Sequence, residues 1–176
     1  MLRYIDANQD LIDTFKNVMT DRFPVYATLD FKLVFDTKPR LKDGKMVFAS
    51  IELPSAKLKY FSTDDDVEEG YDYIMFVFLR TWELASVEDK CRIISHELRH
   101  VFIDENGNPK LVGHEIADFY AEIELNKDDP EWLRKLTVLT QDVVDQEKEL
   151  AKSNTGGKKW MKKLKKKWFQ RHGKRI

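Results

Sequence analysis

The sequence predicts a small α+β domain, and three observations carry that expectation. Aromatic and β-branched runs of strand length stand at Phe31–Phe35, Met46–Leu53 and Tyr71–Arg80. Apolar residues recur at helical spacing before those runs, in Ala7–Arg22, and after them, from Ser86 onward. The helical stretch that follows the third run contains His96-Glu97-Leu98-Arg99-His100, an H-E-x-x-H pattern. The expected order is an N-terminal helix, a three-stranded and mostly antiparallel sheet, a histidine-bearing helix, a second ligand helix, a further C-terminal helix and a basic tail.

A chain of 176 residues can bury a sizeable core without disulfides. The single cysteine, Cys91, cannot form an intramolecular disulfide, which fits a reducing compartment. The N-terminus has no apolar run of signal-peptide length, and no stretch approaches the length of a membrane span, so the expected location is cytoplasmic. The net charge of −1 hides an asymmetry. From Lys152 to Ile176 there are eleven Lys or Arg and no Asp or Glu, leaving 19 basic and 31 acidic residues before them. An acidic body with a basic tail bears on partners rather than on fold.

In the first helix Leu11, Phe15, Val18 and Met19 share a face, Asn8 or Asp10 is a candidate cap, and Pro24 ends it. Phe31–Phe35 and Met46–Leu53 flank a turn signal at Asp43-Gly44, and the two are expected to pair as a hairpin. Ala56–Ser62 is ambiguous. Thr63–Gly70 carries five acids in eight residues and reads as an exposed loop. Tyr71–Arg80 is apolar almost throughout, as a strand buried on both faces would be. Ser86 is a good N-cap, with Glu88 and Asp89 in the electropositive first turn. Val87, Cys91, Ile94, Leu98 and Val101 then form a stripe facing the core, and His96 and His100 fall on roughly the opposite side. Asn106-Gly107-Asn108-Pro109 breaks this helix. A second helix is expected from about Gly113, with Ile116, Phe119, Tyr120 and Ile123 as its apolar face. Asp128-Asp129-Pro130-Glu131 signals a third helix, Trp132 to about Ala151. Residues 154–157 read as a linker between a domain at 1–153 and a basic amphipathic tail at 158–176.

Two histidines four apart on a helix can grip one metal ion, and the glutamate between them can act on water at that ion. Catalytic zinc keeps three protein ligands and one open position. His96 and His100 supply two. His114 is the best assignment for the third, with Glu115 as runner-up. Asp118, one turn after His114, is placed to orient a ligand histidine. Glu97 would serve as general base. Tyr71, Tyr73, Tyr120 and Arg99 are candidates for stabilising an oxyanion, and the sequence does not choose among them. The Tyr71–Arg80 strand is expected to lie along the cleft and to bind an extended peptide by strand addition.

The run from Ile94 to Glu122, with its H-E-L-x-H, its Asn-Gly turn and Gly113-His114-Glu115-Ile116-Ala117-Asp118-Phe119, resembles the phage metallopeptidase family, which is related to the SprT-like and other minimal zincins. The order of elements over residues 7–126 is similar to those folds. The resemblance implies a zincin-like domain and a phage-encoded zinc peptidase in the host cytoplasm. It implies His96, His100 and His114 as ligands, Glu97 as base, and a protein or peptide substrate. His114–Ala121 is also similar to the ImmA/IrrE pattern E-x-x-A-N-x-F-A. There His114 replaces a glutamate and Asp118 an asparagine, a departure that favours the histidine-ligand group. The tail residues Lys158, Lys159, Trp160, Lys162, Lys163, Lys165, Lys166, Lys167, Trp168 and Arg171 suit phosphate neutralisation and base stacking on DNA or a nucleoprotein. An anionic membrane surface and the protein's own acidic body are lesser alternatives. The rival to an enzyme is a non-catalytic, zinc-stabilised module whose tail binds DNA or protein. The sequence leaves the oligomeric state open.

Overall fold

A computed structural model describes residues 2–42, 45–63, 67–114 and 119–172, with side chains up to Lys152. Its principal sheet is organised by the most apolar strand. The chain begins with β1 (Tyr4–Asp6), α1 (Gln9–Arg22), a 3-10 turn (Pro24–Tyr26) and β2 (Phe31–Asp36). There follow β3 (Arg40–Lys42), β4 (Lys45–Val47), β5 (Ala49–Glu52), α2 (Ala56–Phe61) and β6 (Tyr73–Phe78). The remainder is α3 (Leu79–Leu84), α4 (Val87–Arg99), β7 (Val101–Ile103), β8 (Pro109–Leu111), α5 (Tyr120–Leu125) and α6 (Trp132–His172). The class is α+β, as expected.

The sheet has four strands in the order β1-β2-β6-β5, not three. β2 runs parallel to β6, and the two outer pairs are antiparallel. The expected hairpin between Phe31–Phe35 and Met46–Leu53 does not form, because β6 inserts between them. The physical reason is burial. Five of the six β6 residues are buried, so a strand must flank it on each side. β3 and β4 pair antiparallel with each other instead, with Arg40 opposite Val47 and Lys42 opposite Lys45. Ala56–Phe61 resolves as a helix, its start capped by Ser55, which accepts the Leu58 N–H.

Period-two alternation sends Phe35, Tyr73, Met75 and Val77 to the face covered by helices. There they meet Leu11, Phe15, Val18 and Met19 of α1, and Ile94 and Leu98 of α4. Each fully buried side chain of this kind stabilises the fold by roughly 1.5–3 kcal/mol. Asp10 accepts from Trp82 Nε1 at 2.7 Å and from Lys90 Nζ at 2.8 Å, which ties α1, α3 and α4 together. On the opposite face Asp36, 1% exposed, is held by Arg3 and Arg40.

α4 begins as predicted, with Ser86 accepting the Asp89 N–H at 3.1 Å. Ile94, Leu98 and Val101 are buried as expected, but Val87, in the first turn, is 70% exposed. The helix also stops sooner than its apolar stripe suggested. Arg99 is its last residue, His100 caps it, and Val101 opens β7. α6 packs through Trp132, Leu136, Thr140 and Val144, spaced four apart, and an Arg80–Glu147 ion pair joins it to α3. Its backbone continues to His172, through residues 154–157 where a linker was expected. Two glycines cost a helix only about 2 kcal/mol against alanine, and the lysines around them are good helix formers. No described helix is long and apolar enough to cross a membrane.

Candidate metal centre

Among the described residues one group of His, Cys, Asp or Glu gathers closely enough to hold a metal ion: His96, His100 and His114, with ligand atoms all within 4.8 Å of one another. His96 and His100 come from the last turn and the cap of α4. His114 comes from an element the sequence reading did not foresee. Residues 101–111 form a hairpin, with Val101 opposite Leu111 and Ile103 opposite Pro109. The ladder then runs one step past the strands, since Val112 N–H donates to the His100 carbonyl at 2.9 Å. An antiparallel hairpin returns the chain to where it left. Because β7 starts immediately after His100, the returning strand delivers His114 back to the α4 histidines.

This corrects the expectation of a ligand helix from Gly113. The described helix there, α5, starts only at Tyr120, and His114 precedes it. Tyr120 and Ile123, expected on its apolar face, are 61% and 49% exposed. Asp118 and the alternative ligand Glu115 lie outside the described residues. So do the side chains of the tail residues from Lys158 to Arg171.

The hairpin turn has a local cause. Asp104 accepts from the N–H groups of Asn106 at 3.0 Å and Asn108 at 2.8 Å, and Gly107 takes a φ of +80° that favours glycine. The Asn106-Gly107 pair between short apolar runs was the available signal for a hairpin. Tyr73 then pins it from the core. The Lys110 N–H donates to the Tyr73 hydroxyl at 3.1 Å, and that hydroxyl lies 2.8 Å from the Phe102 carbonyl and 2.9 Å from that of Lys110.

The ring nitrogens fit a metal. His100 Nδ1 lies 2.7 Å from the Val112 carbonyl, an acceptor, so Nδ1 carries the proton and Nε2 is left to ligate. His96 Nε2 and His114 Nε2 stand 3.0 Å apart. Two nitrogens each about 2.05 Å from a tetrahedral zinc would be about 3.3 Å apart, close to this spacing. Phe119, 6% exposed, lies against all three imidazoles, with ring centroids 5.6 Å from His96, 4.8 Å from His100 and 5.0 Å from His114. The sequence places Phe119 on a helix face, with no sign of its contact with the three histidine rings.

Glu97 shares with the three histidines a cleft of about 560 Å3. Burial pushes its carboxyl up from an ordinary value near 4.5 to about 7. The charge of His96, the Ile51 N–H and the charge of Arg40 pull the other way. Ile51 belongs to β5, the sheet edge facing this cleft. The Phe78 N–H donates to the Phe48 carbonyl, so residues 48, 50 and 52 pair with β6 while Ala49 and Ile51 turn their backbone groups outward. β6 itself is paired on both sides and cannot accept an added strand, which overturns the peptide-binding role expected for it.

None of the four oxyanion candidates lines this cleft. Tyr73 is committed to the hairpin. Tyr71 borders a separate cavity between α1 and β2. Arg99 bonds Glu122 and lies over the Phe23 ring. Tyr120 sits at the exposed start of α5. Lys42 and the apolar Met46, Val47, Leu111, Val112 and Leu133 form the walls instead.

The histidine cluster has a counterpart among known families. The model of a family described as "Putative phage metallopeptidase" matches residues 2–146, which takes in the whole sheet, α4 and the three histidines. No curated protein and no solved structure matches the chain. A match over that length decides the matter, and the chain belongs to the phage metallopeptidase family, with a histidine triad able to hold the metal ion that family requires.

Proposed function

We propose that the protein is a zinc-dependent endopeptidase acting on extended peptide segments, with His96, His100 and His114 as ligands and Glu97 as general base. The observation that carries this reading is the buried Glu97 carboxyl in one cleft with three converging imidazoles. Three imidazole nitrogen donors suit catalytic zinc, which takes three protein ligands and keeps one position for water or substrate. Zinc bound there supplies Lewis acidity, which polarises a carbonyl and brings the acidity of water into the neutral range. Glu97 takes the proton of the attacking water and passes it to the leaving amine. Its elevated pKa suits both roles, since the carboxyl can hold and release a proton near neutrality. On the outer edge of β5 the Ala49 backbone groups and the Ile51 carbonyl face outward for an added peptide strand, while the Ile51 N–H is engaged by Glu97. Met46, Val47, Leu111 and Leu133 favour apolar side chains beside the scissile bond.

The charge of the tail, eleven cations without an anion, supports contact with DNA or a nucleoprotein substrate. Binding of the full chain to duplex DNA that falls steeply with salt, without binding to anionic vesicles, is the expected result.

The test of catalysis is Glu97→Gln. The variant should keep its zinc and lose about 10²–10⁴-fold in peptide hydrolysis. His114→Ala should weaken zinc binding. A Glu97→Gln variant as active as the unaltered chain on every substrate cleaved would refute the catalytic assignment, and would equally favour a zinc-stabilised binding module.

A further inference from the structure

Glu122 lies in α5 and is 2% exposed, a costly place for a carboxylate. Its hydrogen-bond partners explain where it sits. Oε1 accepts from Ser95 Oγ at 2.7 Å and from Arg99 Nε at 2.9 Å, and Oε2 accepts from Asn126 Nδ2 at 3.3 Å. Asn126 in turn accepts from Arg92 Nε at 3.2 Å, and Arg92 reaches Asp89 and Asp128. Arg92, Ser95 and Arg99 are spaced three and four apart, so they form one polar stripe on α4. The two that touch Glu122 each immediately precede a metal-ligand candidate, Ser95 before His96 and Arg99 before His100. Three residues ahead of Glu122, at the cap of α5, stands Phe119 against all three imidazoles.

A network of this kind is not what docking two helices requires. Buried ion pairs contribute little net stability and can often be replaced by apolar residues of similar volume without loss. What a carboxylate with three directed donors supplies is a fixed geometry. Here that geometry joins the ligand-bearing turns of α4 to the element that seats Phe119 beneath the rings.

We propose that Glu122 is a positioning residue for the three-histidine centre. Acting through Ser95 and Arg99, it fixes the ligand turn of α4 against Phe119 and so sets the coordination geometry and affinity of the metal. The inference rests on the reading of His96, His100 and His114 as metal ligands.

The test uses the full chain, stripped of metal and reloaded. Zinc dissociation constants are measured by chelator competition, and coordination geometry is read from the visible absorption of the cobalt(II)-substituted protein. Glu122→Ala should weaken zinc by about 10–100-fold, the usual effect of removing such a supporting group, and should change the cobalt bands. Glu122→Gln, which keeps an acceptor oxygen for Ser95 and Arg99, should recover part of both. Glu124→Ala, at an exposed position of the same helix, should match the unaltered chain. Ser95→Ala removes only the 2.7 Å bond and should weaken zinc several-fold with a smaller spectral change. A folded Glu122→Ala with unaltered affinity and spectrum overturns the proposal; if that variant does not fold, unaltered values in Ser95→Ala overturn it. An unaltered chain that binds neither metal overturns the metal-centre reading and this inference with it. Binding by that chain with no response to the variants overturns this inference alone.

Discussion

Glu97 should destabilise the metal-free fold at neutral pH, and the size of the effect follows from its burial. A carboxyl whose folded pKa is about 7 binds its proton more tightly in the folded than in the unfolded chain, where the value is near 4.5. The folded state then holds more protons between those two values, so stability falls as pH rises through that window. Below pH 4.5 the group costs nothing on this account. Above pH 7 the full difference is reached, about 3 kcal/mol at 1.36 kcal/mol per unit of pKa. Glu97→Gln has the same shape without the titration. Urea unfolding of both metal-free proteins between pH 4.5 and 8.5 isolates the group, because the other titrations are common to both and largely cancel. The stability of the variant minus that of the unaltered protein should climb by about 3 kcal/mol across the window and then level off. A difference that stays flat with pH, or falls, would show that burial does not hold the Glu97 carboxyl above its ordinary range.

Other predictions follow from single contacts. Tyr73→Phe should lower stability by about 1–3 kcal/mol, because the Phe102 and Lys110 backbone groups lose a buried partner while the ring remains. At 2–4 °C per kcal/mol, a melting point within a degree of the unaltered protein would refute the pinning role. Gly70→Ala should destabilise by about 1–3 kcal/mol, since φ is +71° and the added Cβ would stand 2.0 Å from the Lys59 carbonyl oxygen. Equal urea midpoints would rule this out. Ser86→Ala should cost about 1 kcal/mol by uncapping α4, while Ser86→Asp should cost much less. Identical losses in both variants would show that the cap contributes nothing.

Much of the site could be read from local pattern. The N-cap at Ser86, the phase that opposes His96 to Ile94 and the buried run of β6 are all properties of short sequence windows. Local pattern also misled in identifiable places. Phe31–Phe35 and Met46–Leu53 look like hairpin partners because they are neighbours in sequence, but β6 must be buried on both sides and separates them. Gly113–Ile123 has a helical apolar spacing, yet the β7–β8 ladder extends to Val112 and α5 begins only at Tyr120.

The sequence by itself determined the α+β class, the pair His96 and His100 on one helix, Glu97 between them, and His114 as the third candidate. Helical spacing, capping chemistry and residue type are enough for these, because each is decided within a few turns of chain. Tertiary structure alone decided that a hairpin delivers His114, that β5 rather than β6 is the sheet edge beside the three histidines, that Phe119 lies against their rings, and that Glu122 bonds Ser95 and Arg99. Those outcomes depend on hydrogen bonds and packing between residues 18 to 37 positions apart, such as His96 with His114 and Tyr73 with Lys110. Such contacts form only when burial of the whole core fixes which segments meet.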